Sequence, residues 1–114
     1  MKIIKDKITL TELSEMTEKM FDNLVKAVVD VEKEIMAVDA EMHADEEQLL
    51  LKKGSKQKNL WGINLYPEKF GQNDFIEFDS LINLRPSQNN RSRGIKNPNI
   101  CQKIIKIVNQ LVEE

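Results

Sequence analysis

Two short blocks hold most of the side chains that could do chemistry. In the first, Asp39, Glu41, Asp45, Glu46 and Glu47 place five carboxylates around His43, the one histidine of the chain. Crowded carboxylates repel, and a divalent oxygen-seeking cation such as Mg²⁺ or Mn²⁺ would relieve the repulsion, with His43 offering a nitrogen ligand. Asp39, Glu41 and His43 are therefore the candidate metal ligands, although their spacing matches no established metal motif. The plainer alternative is a solvated sheet face leading into an acid-rich helix start.

The second block, Arg85 to Gly94, reads RPSQNNRSRG and has no apolar side chain from Ser87 to Gly94. Arg85, Ser87, Gln88, Asn90, Arg91 and Arg93 are the candidate ligand-binding residues. Guanidinium forks, amides and a hydroxyl are the donors that recognise a phosphate or carboxylate on a small molecule. Asn89, Ser92 and Lys96 stand among them, and a helix start just downstream would add backbone N–H groups. A Walker loop is excluded, because its glycine-rich turn and Gly-Lys-Ser/Thr ending are absent. The competing use of the arginines is to pair with Asp39, Glu41 and the acids of 43–47, tying loop to sheet. The two uses are compatible.

Catalysis has thinner support. Ser87 and Ser92 have only His43 as a base, with no nucleophile elbow around them. A metal-dependent phosphoester hydrolase is the one enzyme class with its ingredients present: carboxylates, arginines and a histidine. Those ingredients are common, so whether the chain is an enzyme stays open. The leading expectation is a small ligand- or partner-binding module in which the 85–94 loop faces the acidic 39–47 cluster. The hydrolase and a homodimeric interaction module are the alternatives.

Composition narrows the field further. A chain of 114 residues, 40% hydrophobic and 32% charged, is expected to form one domain, 1–114, around a single core. A formal charge of -2 argues against nucleic acid or an anionic membrane as partner, and no stretch approaches a membrane-spanning length. Cys101, the single cysteine, excludes an internal disulfide and suits a reducing compartment, so the protein reads as cytoplasmic.

The elements that must position these blocks follow from periodicity. Ile3 and Ile4 suggest a short edge strand. Thr9 with Glu12 three residues on is a capping box for a helix over 10–24, with Leu10, Leu13, Met16, Met20, Phe21 and Leu24 inward. Residues 25–42 alternate like a hairpin turning at Glu32-Lys33-Glu34, with a continuous helix as the other reading. Asp45 and Gln48 suggest the cap of a second helix, anchored by Leu49, Leu50 and Leu51 and ended at Gly54. Leu60 to Tyr66 puts Trp61, Ile63 and Leu65 on one side. Phe75 to Arg85 alternates as a strand, with Ile76, Phe78, Ile82 and Leu84 inward and Glu77, Asp79, Asn83 and Arg85 outward. On that reading Asp30, Asp39, Glu41, Glu77 and Asp79 share the face opposite the core. Asn97-Pro98 opens a last helix. The expected fold is α+β, a mostly antiparallel sheet of four to five strands with three helices packed on one face.

The blocks VKAVVDVEKEIMAVDAEMHADEEQLLLKKGSKQKNLWGINLYPE (25–68) and FIEFDSLINLRPSQNNRSRG (75–94) resemble a small prokaryotic family known only as a domain of unknown function, the 5674 family. The resemblance covers nearly the whole chain and implies no activity. It does imply that HADEE and RPSQ-NRSRG are signature blocks, and that relatives tend to carry Gly where this chain has Asn89. Asn is the next most tolerant residue for positive φ, so the loop shape is expected to persist.

Overall fold

The computed structural model of the protein describes residues 1–19 and 23–114. Its centre is the valine-rich hairpin: β3 (Val25–Asp30) returns antiparallel as β4 (Ile35–Val38), with Asp30 opposite Ile35. The helical alternative for 25–42 falls away. A turn without Gly, Asn or Pro is closed by Asp30, whose Oδ1 accepts the N–H groups of Glu32 and Lys33, both at 2.9 Å. Glu34 completes it at a left-handed φ of 57°.

The hairpin is flanked antiparallel by β1 (Lys2–Ile4) on β4 and by β5 (Leu60–Leu65) on β3. The short strand β6 (Ile76–Glu77) then pairs with β5, giving the order β1-β4-β3-β5-β6. One pairing has no forerunner in the sequence reading: β2 (Ile8–Thr9) runs parallel to β7 (Val112–Glu113).

Helix α1 (Leu10–Thr17) starts as predicted, Thr9 Oγ1 accepting the Glu12 N–H at 3.1 Å. It is shorter than 10–24. Met20 and Phe21 lie outside the described residues, and Leu24 is buried in the chain entering β3. Helix α2 (His43–Lys52) starts earlier than the Asp45 cap predicted. Met42 occupies the cap, and Asp45 and Glu46 fall in the first turn, where the helix dipole favours acids. Helix α3 (Pro98–Leu111) has the expected cap, Asn97 Oδ1 accepting the Asn99 N–H at 2.9 Å.

The α+β class stands, but the helices do not share one face. Leu13 of α1 and Ile104, Ile107, Val108 and Leu111 of α3 pack on the sheet face carrying Ala27, Val29, Met36, Val38, Trp61, Ile63 and Leu65. Leu50 of α2 packs with Val28, Ala37 and Leu60, which alternate with the first set along the strands and so lie on the opposite face. The side expected to be open to water is therefore roofed by α2, and all six residues of β5 are buried. Asp30, assigned to that open side, is only 1% exposed and accepts from Ser55 Oγ at 2.6 Å. Leu50 is the anchor of α2, whereas Leu51 is partly exposed.

The expected strand from Phe75 to Arg85 is the largest correction. Only Ile76–Glu77 pairs as a strand; beyond it the chain makes tight turns at Leu81–Asn83 and Pro86–Gln88. Side chains interrupt the ladder. Asn64 Nδ2 donates to Asp79 O, and the Asn83 carboxamide takes the β5 backbone position where a further strand residue would bond. Asn83 and Arg85, placed outward by strict alternation, are both buried.

Candidate functional site

The 85–97 loop is built from the inside out. Asn83 Oδ1 accepts the Gly62 N–H at 2.8 Å and its Nδ2 donates to Gly62 O at 3.0 Å, so a side-chain amide imitates a neighbouring strand. A Cβ at Gly62 would meet Ser80 Cβ at 2.6 Å, which explains glycine inside a central strand. Arg85 reaches inward from the same corner. Its Nε donates to Ile82 O at 3.0 Å, Nη1 to Gln57 O at 2.8 Å, and Nη2 to Leu60 O. The guanidinium lies 4.5 Å from the Trp61 ring centroid and 3.6 Å from Glu47 Oε2, an ion pair too long for a hydrogen bond. Burial pulls the Arg85 pKa down and Glu47 opposes that.

Asn90, also buried, ties the loop together: Nδ2 donates to Asn83 O at 2.7 Å and Gly94 O at 2.8 Å, and Oδ1 accepts the Lys96 N–H at 2.8 Å. The backbones of Arg85 and Asn90 bond in both directions, at 2.7 and 3.0 Å, closing the intervening turn. Asn89 takes φ 59° at its tip, the left-handed conformation that glycine or asparagine tolerates.

The rim differs from this interior. Arg93 Nε donates to Asp79 Oδ1 at 2.7 Å on the surface, and Gln88 Nε2 donates to Lys58 O at 3.2 Å. Ser87 is exposed. Arg91 and Lys96 are exposed and their side chains form no ion pair among the described residues. With Asn89, Ser92 and Gly94 they line an open cleft of about 500 Å³.

The acidic block takes another course. His43 is buried at the first turn of α2, and its Nε2–H donates to Ile63 O at 2.7 Å, which fixes the proton on that nitrogen. Burial lowers its pKa, favouring neutral imidazole. Glu46 is fully buried, its Oε2 accepting the Ala40 N–H at 3.1 Å while Oε1 has no partner among the described residues. Burial pushes its pKa up to about 9, so it is protonated at neutral pH. Asp39 pairs with Lys19 at 3.1 Å, and the Glu41 carbonyl accepts from Lys26 Nζ at 2.7 Å. Asp39, Glu41 and His43 are not brought together as ligands: among the described residues no group of three His, Cys, Asp or Glu is placed to hold a metal ion.

The expected meeting of the arginines with the acidic block is thus real at one place, Arg85 with Glu47; Arg93 pairs instead with Asp79, outside that block, and among the described residues no ion pair joins the loop to Asp39 or Glu41. Asn83 is the structural residue that the sequence reading missed. Its signal was an asparagine inside an apparent strand, where that residue is depleted.

The model of a family described as "Protein of unknown function (DUF5674)" matches residues 2–111. No curated protein and no solved structure matches the chain.

Proposed function

We propose, on the premise that the chain belongs to the DUF5674 family of unknown function, that it is a small binding module whose site is the 89–96 cleft and whose ligand carries a phosphate or carboxylate. One observation carries this reading, a division among the loop's cations. Arg85 and Arg93 are held in ion pairs, whereas Arg91 and Lys96 line an open cleft and form none among the described residues. A planar guanidinium fork beside a second cation suits an oxyanion, and Ser92 adds a hydroxyl donor. The buried Asn90 and Arg85 bonds hold the loop in advance, which lowers the ordering cost of binding.

The test is a titration of the full chain with inorganic phosphate, followed by melting temperature and calorimetry. Phosphate should raise the melting temperature by mass action, and Arg91→Ala and Lys96→Ala should each weaken binding at least about tenfold, equivalent to about 1.4 kcal/mol. A melting temperature that phosphate leaves unmoved, or moves equally in parent and variants, discards the site.

A second reading, assembly with a protein partner or another copy of the chain, is favoured by a different observation. Leu51 on α2 and Leu81 and Leu84 in the turn that packs against it are 39, 65 and 44% exposed. Exposed leucines on two elements that pack together offer apolar surface for a partner to cover. A monomer mass by light scattering at high concentration would count against self-assembly.

A further inference from the structure

The cleft lined by Arg91 shares Asn89 and Lys96 with a second one of about 370 Å³, bounded by Asn97, Pro98, Ile100 and Trp61. That volume is within the range of small-molecule sites, about 300–1,000 Å³. The two halves differ in chemistry. Around Arg91 the free groups are cationic. Around Asn97 they are carboxamides beside apolar surface: among the described residues the Asn89 side chain has no hydrogen bond, and Asn97 bonds through its Oδ1 alone, as the α3 cap, with no partner for Nδ2. Trp61 also lines this half, and its buried Nε1–H has no acceptor among the described residues. A buried donor without a partner is rare in folded proteins.

We infer that the ligand is bipartite: a phosphate held by Arg91 and Lys96, joined to a flat heterocyclic ring that lies on Pro98 and Ile100 and is read at its edge by the carboxamides of Asn89 and Asn97, as a nucleoside monophosphate would be. This rests on the anion site proposed above and extends it. A carboxamide offers one acceptor and two donors in a plane, which matches the edge of a nucleobase. The faces of a base are apolar and fit Pro98 and Ile100. A sugar would press hydroxyls against the same surface and leave them without partners.

The experiment is calorimetry on the full chain with inorganic phosphate, ribose 5-phosphate and the four common nucleoside 5′-monophosphates. Two variants remove the reading groups while keeping the backbone. Asn89→Gly suits φ 59°, and Asn97→Ser preserves an N-cap. At least one nucleotide should bind tenfold or more tighter than phosphate; both variants should lose most of that margin, and Asn97→Ser, which lies outside the Arg91 cleft, should keep the parent's affinity for phosphate. Arg91→Ala should weaken phosphate and nucleotide alike. If phosphate binds but no nucleotide exceeds it, if ribose 5-phosphate equals the best nucleotide, or if the margin survives in both variants, the ring site is overturned and the anion site stands. If neither phosphate nor any nucleotide binds, both fall.

Discussion

At the first turn of α2, His43 and Glu46 are buried and burial favours the uncharged form of each. At the rim of the 89–96 cleft, Arg91 and Lys96 are exposed and form no ion pair among the described residues. Arg85 stands between these regions, hydrogen-bonded on one side to the backbone of Ile82 and ion-paired on the other with Glu47 of α2. The difference teaches where function can reside in a polar fold. A titratable group that burial has neutralised, with its bonds to the protein's own backbone, holds elements in place. One left charged in water at a concave surface is free to meet a ligand.

The largest break in that comparison should come at Arg85. Arg85→Met removes donors to the carbonyls of Ile82, Gln57 and Leu60 and strands Glu47 beside them. Breaking a buried pair from one side costs about 3–5 kcal/mol, so the urea midpoint should fall steeply. Arg85→Lys should recover little, because an ammonium cannot reproduce the fork over Trp61. A variant of Arg85 with near-parent stability would move this residue from the scaffold to the rim.

Next in size is Gly62→Ala. The new Cβ would meet Ser80 Cβ and Oγ, both at 2.6 Å, and overpacking of this kind costs about 1–3 kcal/mol. Ser80→Gly in the same chain should restore part of the loss, and Ser80→Ala should not, since the Cβ clash persists. Denaturation of the four variants as a double-mutant cycle measures the coupling.

These two sites also mark the limit of what the sequence made legible. The hairpin, β5 and the caps of α1 and α3 follow from local rules: alternation, Thr9 with Glu12, and Asn97 with Pro98; the left-handed tip at Asn89 followed instead from the family resemblance, in which glycine stands at that position. What failed was nonlocal. Whether residues 76–85 continue a strand depends on Asn83 reaching Gly62, 21 residues away, and period-two alternation carries no information about such a bond. Likewise, Leu49 to Leu51 gave α2 an apolar stripe but not the sheet face it covers. The candidate site was legible as a region. Sorting Arg85 and Asn90 into scaffold and Arg91 into rim required burial and bonding partners, which arginine and asparagine do not announce by type.

The contrast within α2 can be sharpened by pH. Glu46 has a folded pKa of about 9 against an ordinary 4.5, so the folded chain holds this proton more tightly. Its stabilisation is full below pH 4.5 and is lost as pH rises toward about 9, with a slope approaching about 1.4 kcal/mol per pH unit. His43 acts in the opposite sense: its pKa is lowered from 6.5, so its contribution is present above pH 6.5 and lost as pH falls below it. Glu46→Gln should flatten the alkaline decline in urea midpoints and leave the acid decline in place. A parent whose stability is flat from pH 6 to 9 would mean that Glu46 is ionised in the fold, and that α2's first turn tolerates charge as the rim does.

The smallest stability change is expected at Arg91, and there smallness is the informative result. Arg91 is exposed and makes no ion pair among the described residues, so Arg91→Ala should alter the unfolding free energy measured in urea by no more than about 0.5 kcal/mol, as surface substitutions do. The same change should weaken phosphate binding at least about tenfold. Arg85→Met would lose stability and binding together, because the loop that carries the cleft depends on it; only a residue outside the scaffold can separate the two quantities. If Arg91→Ala destabilises the fold as Arg85→Met does, its guanidinium is another strut, and the division between interior and rim that locates the site fails at its central residue.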